Sequence, residues 1–214
     1  MSARPVLVTG FEPFAGESVN PSGAIARALD RRLIAGRTVV GAVLPCSFRA
    51  APRELRRLLA HHRPALVICT GLAGGRIGIT PERVALNVVD ARIPDNEGAR
   101  PVDRAVVRGG PVAYWSQLPI KAIAAALRRQ NIPAEVSQTA GTFVCNQVFY
   151  ALMHRLRRAP QIRAGFIHVP HLPDQAESGA PSLPLATMVA GIALAVEVAL
   201  TVRRDRREAG GQMD

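Results

Sequence analysis

Residues 134–147 read AEVSQTAGTFVCNQ, and the order of residue types in them shows how the chain is built. Ala134 to Gln138 is strand-like, Ala140 and Gly141 form a small-residue turn, and a helical pattern follows from Thr142 to about Arg158. Strand, tight turn and helix together are the unit from which α/β proteins are assembled. The same unit puts Cys145 in the first turn of the helix, beside N–H groups without intrahelical partners and at the positive end of the helix dipole. Both favour thiolate over thiol, as a nucleophile requires. Most free cysteines are nevertheless small buried hydrophobes, and Cys145 is a nucleophile only if a histidine meets it.

Downstream, Ala164 to Val169 (AGFIHV) is a buried strand that brings His168 to its C-terminal end, the edge where open α/β sheets place their sites. His168 and His171 could make half of a metal site, but no third ligand stands near them and no metal is expected. Leu183 to Val202 imitates a membrane span followed by arginines. Pro184 at its start, Glu197 inside it and its alanine-weighted composition mark instead a packed final helix.

Upstream, Pro5 to Gly10 (PVLVTG), Thr38 to Leu44 and Ala65 to Thr70 (ALVICT) are further buried strands, the last making Cys69 a core residue. Val84 to Ala91 is a fourth strand in this half. Asn20-Pro21-Ser22 caps a helix that carries Ile25, Leu29 and Leu33 on one face. Ala51 to His61 turns Leu55, Leu58 and Leu59 inward, and Ile120 to Gln130 is another helix. Ile93 to Pro119 is left as one long loop. Gly71 to Gly78 (GLAGGRIG) hints at a phosphate cradle, but it lacks the P-loop lysine and no convincing helix follows. The alternation predicts a single-domain α/β/α sandwich with a mostly parallel central sheet.

At 214 residues and 48% hydrophobic, the chain suits one core, with the domain expected over residues 1–202 and a basic, disordered tail over 203–214. Cys46, Cys69 and Cys145 are odd in number and far apart, which points to a reducing cytoplasm without disulfides or a cysteine zinc site. The net charge of +11 invites a nucleic-acid reading. The arginines are scattered, however, and aromatics make up only 4%, so no stacking groove accompanies the charge.

Five stretches carry a family resemblance: VLVTGFEPFAGESVNPS, GLAGGRIGITPERVALNVVDARIPDNEG, LPIKAI, SQTAGTFVCNQ and GFIHVPHLPDQ. In order and spacing they resemble the type I pyroglutamyl peptidases, also called pyrrolidone-carboxylate peptidases, over nearly the whole chain. The resemblance implies a cytoplasmic cysteine peptidase that removes N-terminal pyroglutamate (5-oxoproline) from peptides. It also implies a mixed sheet, no metal or other cofactor, no membrane or nucleic-acid partner, and assembly as a homodimer or homotetramer. Residue by residue, it makes Cys145 the nucleophile, His168 the base and Glu82 the group that orients the histidine. Arg92 corresponds to a site arginine that would assist at the oxyanion, and Phe11, Phe14 and Phe143 would border the pocket for the lactam ring. Asn20 would fix the loop that holds two of these phenylalanines. Cys46 and Leu72 depart from residues common in the family, Leu72 standing where some members carry glutamine.

Without the resemblance, the commoner fate of Glu82 is a surface carboxylate paired with Arg83, and composition alone favours Phe11 and Phe14 as pins that hold a loop to the core. Two other classes compete with the peptidase. One is a non-catalytic protein that binds polyanions or nucleic acid on a peptidase-like fold; the other is a thiol-transfer protein with Cys46 resolving Cys145.

Overall fold

The computed structural model describes residues 3–210. Its elements run β1 (Val6–Phe11), α1 (Pro21–Leu29), β2 (Leu33–Ile34), β3 (Arg37–Leu44), α2 (Ala50–His62), β4 (Leu66–Leu72), β5 (Thr80–Pro81) and β6 (Val84–Leu86). Then follow β7 (Ala113–Trp115), α3 (Ile120–Arg129), α4 (Val144–Leu156), β8 (Arg163–Val169), a single 3-10 turn (Pro173–Gln175) and α5 (Leu185–Thr201). Six strands form one sheet in the order β2-β3-β1-β4-β8-β5. The central four are parallel, while β2 and β5 run antiparallel at the two edges, so the sheet is mixed and mostly parallel as expected.

The β-branched runs form the centre because both their faces are covered. Val6 and Val8 of β1 pack with Ile25 and Leu29 of α1, Ile123 and Leu127 of α3, and Met188 and Ile192 of α5. Leu7 and Phe11, on the opposite face, pack with Leu55 and Leu58 of α2 and Val148 and Phe149 of α4. A two-residue period in β1 thus feeds two cores, one on each side of the sheet. Glu197 lies on the exposed side of α5, and no helix among the described residues is long and apolar enough to cross a membrane.

Several boundaries differ from the sequence expectations, each for a local reason. Helix α1 stops at Leu29 and does not reach Leu33, which is 72% exposed on the edge strand β2. Arg31 takes a left-handed φ of 62°, which ends the helix, and the Asp30 carboxylate accepts the Gly41 N–H. Residues 134–138 make only single parallel bridges, Ile79 with Ala134 and Glu82 with Ser137, because the neighbouring β5 is two residues long. The long loop after Ile93 contains β7, which returns to pair antiparallel with β6.

Residues 203–210, at the start of the basic tail, lie against α3 and Arg83. Pro119 at the α3 N-cap makes no side-chain cap bond, and the Asp205 carboxylate accepts the N–H groups of Lys121 (3.2 Å) and Ala122 (2.8 Å) in its place. Lys121 Nζ donates to the Glu208 carbonyl, and Arg83 donates to the Gly210 carbonyl at 2.8 Å. Residues 211–214 of the expected tail lie outside the described residues.

Candidate active site

The site forms where the C-terminal ends of β4 and β8 meet the N-terminus of α4. Register sets Gly71 of β4 against His168 of β8, and Thr80 of β5 against His168 from the other side. Glu82 follows β5 directly, and its N–H donates to the Phe166 carbonyl at 2.9 Å, which ties it to β8. Its carboxylate is fully buried, and Oε1 lies 2.7 Å from His168 Nδ1. A carboxylate only accepts, so Nδ1 carries the proton and Nε2 is left as the free acceptor of the ring. Glu82 therefore faces the histidine, while its neighbour Arg83 turns away to Gln138 and Gly210.

Helix α4 begins at Val144 with Phe143 as an extended N-cap, which places Cys145 in the first turn. Asn146 locks this end in place: its Oδ1 accepts the Leu86 N–H and its Nδ2 donates to the carbonyls of Leu86 and Val88, each at 2.9 Å. Thr142 and Asp90 add a second clamp through Thr142 Oγ1 to the Asp90 carbonyl (2.7 Å) and the Asp90 N–H to the Thr142 carbonyl (3.0 Å). The sulfur of Cys145 sits over Gly71, so close that a Cβ on that glycine would lie 2.8 Å from Sγ. Since Gly71 is the register partner of His168, the Cys145 sulfur and the imidazole share one end of the sheet.

Burial, chiefly, raises the Cys145 thiol, with smaller contributions from Cys46, Glu82 and Cys69 against an opposing one from Arg76. Burial thus opposes the helix-end preference for thiolate and favours a resting thiol that needs a base. Burial likewise holds Cys46 and Cys69 at about 12. For Cys46 the nearby Glu12 and Asp95 add to the effect, which leaves it a poor resolving thiol despite its place beside Cys145.

Phe11, Phe14 and Phe143 come together with Asn20, Cys46, Leu72, Val144 and Cys145 around a cavity of about 10 Å³. That is about the space one water needs, so a lactam ring enters only if side chains part. Phe14 and Phe143 are half-buried and stacked at a tilt, 6.1 Å between centroids, whereas Phe11 is buried against Phe166. Asn20 fixes the Phe11–Phe14 loop by donating to the Glu12 carbonyl (3.0 Å) while its Oδ1 accepts the Ser22 N–H (3.1 Å).

Arg92 is exposed, with no contact that joins it to Glu82 or His168. It stands two residues beyond Asp90, whose clamp to Thr142 brings this segment to the start of α4. The cation that does reach the buried carboxylate is Arg76, with Nη2 3.2 Å from Glu82 Oε1, a residue the sequence reading passed over as part of a glycine-rich loop. Phe48 was also missed; it packs edge-on to Phe143 at 5.1 Å and so backs the pocket wall. The glycines of that loop prove to be clearances: a Cβ on Gly74 would lie 2.5 Å from His171 Cε1, and one on Gly78 would lie 2.0 Å from the Pro133 carbonyl oxygen. Among the described residues, no three His, Cys, Asp or Glu side chains gather as a metal cage.

A family model described as pyroglutamyl peptidase matches residues 4–202. The chain is 54% identical to the pyrrolidone-carboxylate peptidase of Cupriavidus necator over 214 residues, covering 98% of this chain and 99% of the relative. It is 52% identical to that of Bacillus cytotoxicus, covering 97% and 98%. Among solved structures, pyroglutamyl peptidase I of Bacillus amyloliquefaciens superposes with a TM-score of 0.92 at 45% identity, covering 95% of this chain and all of that one. Pyrrolidone carboxyl peptidase of Thermococcus litoralis also gives 0.92, at 42% identity, covering 97% and 100%. With its sheet, its Glu82–His168 pair and its helix-end cysteine in the matched region, the chain belongs to the pyroglutamyl peptidase family.

Proposed function

We propose that this chain hydrolyses the bond after an N-terminal pyroglutamyl residue, with Cys145 as nucleophile, His168 as general base and acid, and Glu82 as the group that orients the imidazole. The observation that carries this reading is the buried 2.7 Å contact between His168 Nδ1 and Glu82 Oε1, at the sheet end that also holds the Cys145 sulfur. With Nδ1 engaged, Nε2 takes the thiol proton as sulfur attacks the scissile carbonyl. The first N–H groups of α4 have no intrahelical acceptor, and that of Cys145 is suited to the oxyanion of the tetrahedral intermediate. Arg92, on the segment clamped to Thr142, assists from the rim.

The imidazolium then gives its proton to the leaving amine, the peptide departs, and a thioester of pyroglutamate remains on Cys145. Water attacks the thioester with Nε2 as base, releasing pyroglutamate and restoring the thiol. Glu82 accepts the Nδ1–H hydrogen bond throughout and stabilises the imidazolium that each half-reaction creates. Phe11, Phe14 and Phe143 supply apolar walls for the ring methylenes, Phe14 and Phe143 parting to admit the ring.

Residues 1–202 act as one catalytic domain in this reading. A cytoplasmic setting suits three free thiols, of which Cys145 must stay reduced. A homodimer or homotetramer would cover apolar side chains at the β6–β7 hairpin, where Trp115 is 70% and Val112 85% exposed. The test is turnover of a pyroglutamyl amide compared with an alanyl amide that has a free amine. Hydrolysis of the first alone is expected; equal hydrolysis of both, or of neither, contradicts the proposal.

A further inference from the structure

Glu82 poses a problem of charge that the three catalytic groups do not solve. Its carboxylate is 0% exposed, and Oε2 is a buried acceptor with no hydrogen-bond partner among the described residues. Everything that stabilises the anion arrives at Oε1, from His168 Nδ1 at 2.7 Å and Arg76 Nη2 at 3.2 Å. In the resting state the imidazole is neutral if it is to act as a base, which leaves Arg76 as the full positive charge in contact with Glu82.

Arg76 is built to stay there. Its Nη1 donates to Thr80 Oγ1 at 3.1 Å and its Nη2 to the Thr139 carbonyl at 3.2 Å, so both edges of the site hold the guanidinium. Thr80 is itself the register partner of His168, and Thr139 begins the turn that leads into α4. The side chain is 24% exposed, enough to keep part of its hydration while its tip reaches a fully buried acid.

We propose that Arg76 is a positioning residue of the reaction, holding Glu82 as the anion that orients His168 and setting, by its positive charge, the pH below which the base is lost. Two charges compete over Oε1. A proton on His168 and the guanidinium of Arg76 both draw on the same carboxylate oxygen, so Arg76 makes the imidazolium less favourable than it would be beside Glu82 alone. The same positive charge favours the developing thiolate of Cys145, which would otherwise meet a net negative neighbour in Glu82. Arg76 thus holds Glu82 ionised beside His168 and offsets the negative charge that develops on Cys145.

The other groups around the site leave this role to Arg76. Cys145 from α4, Cys69 from β4 and Cys46 from the loop after β3 rest as thiols, and Glu12 and Asp95 face Cys46. His171 packs over Gly74, and Arg83 is turned to Gln138 and Gly210.

This inference builds on the peptidase reading, and the pH profile of kcat/KM separates the two. If the wild-type chain does not turn over a pyroglutamyl amide, the peptidase reading itself has failed. Given turnover, Arg76→Met should move the acid limb upward by on the order of one pH unit. It should lower the plateau kcat about tenfold with KM within about twofold, since Arg76 acts through Glu82 and not on substrate. Arg76→Lys keeps the charge and should return the limb most of the way to its wild-type position. Arg76→Gln keeps hydrogen-bonding capacity without charge; it should shift as Met does, and it serves as the neutral variant if Arg76→Met does not fold. An unmoved limb in a folded neutral variant overturns the proposal, as does a rise in KM alone. So does a limb that Lys shifts as far as Met, because geometry and not charge would then decide the effect.

Discussion

Gly71→Ala tests the site geometry through a single methyl group. The new Cβ would lie 2.8 Å from Cys145 Sγ and 2.9 Å from Phe166 Cζ, whereas comfortable contacts are roughly 3.5–4.0 Å. Strand β4 cannot retreat, because β1 and β8 hold it in parallel ladders on both sides. Phe166 is fully buried between Phe11 and Phe149. The half-buried Cys145 side chain is the group free to yield, by about 1 Å, and a displacement of that size costs about 10²-fold in rate. Overpacking of this kind destabilises by about 1–3 kcal/mol, and each kcal/mol lowers the melting temperature by about 2–4 °C in a chain of this size. Steady-state kinetics on a pyroglutamyl amide, with a thermal melt of the same sample, should show a folded protein with kcat/KM down about 10²-fold. A folded Gly71→Ala variant within threefold of wild type would refute the placement of the sulfur over β4.

Glu82→Gln keeps the size of the side chain but removes the charge that stabilises the imidazolium and lets the amide support the wrong tautomer. A loss of about 10²-fold or more in kcat/KM is expected with the protein still folded, and wild-type activity would reduce the site to a Cys145–His168 dyad. Because burial raises the Cys145 thiol, inactivation by iodoacetamide should speed up steadily from neutral into alkaline pH as thiolate forms, while chelators leave activity unchanged. A rate already flat below pH 7 would mean a preformed thiolate–imidazolium pair. Asp205→Ala removes the cap that the C-terminal segment lends α3 and should cost about 1 kcal/mol, read as a fall of a few degrees in melting temperature at unchanged kcat/KM. An unchanged melt would show that the segment does not hold α3.

The large elements were legible because hydrophobic pattern alone specifies them. Pro5–Gly10 and Ala65–Thr70 suited doubly covered strands, found as Val6–Phe11 and Leu66–Leu72, and the spacing of Leu55 and Leu58 suited one helix face. The residues proposed as catalytic were legible through long motifs, each beside an element that the pattern had already located. What escaped depends on contacts that no local pattern encodes. β5 and β7 are two and three residues long, too short for any periodicity to register. Arg76 meets Glu82 only because the loop after β4 turns back over the sheet end, and Asp205 caps α3 from more than eighty residues away. Cys145 shows the limit from the other side. Its place at a helix N-terminus was readable and argued for thiolate, but the burial that opposes it follows from how α4 packs on β4 and β8.

The central claim is that the Cys145 sulfur carries the acyl group, and the most direct test is turnover of a pyroglutamyl amide by a Cys145→Ser protein whose melt matches wild type. Serine is nearly isosteric but far less acidic, so a site that relies on sulfur and His168 should lose at least about 10³-fold in kcat. Turnover within tenfold of wild type in that folded variant would contradict the account and move the nucleophile elsewhere.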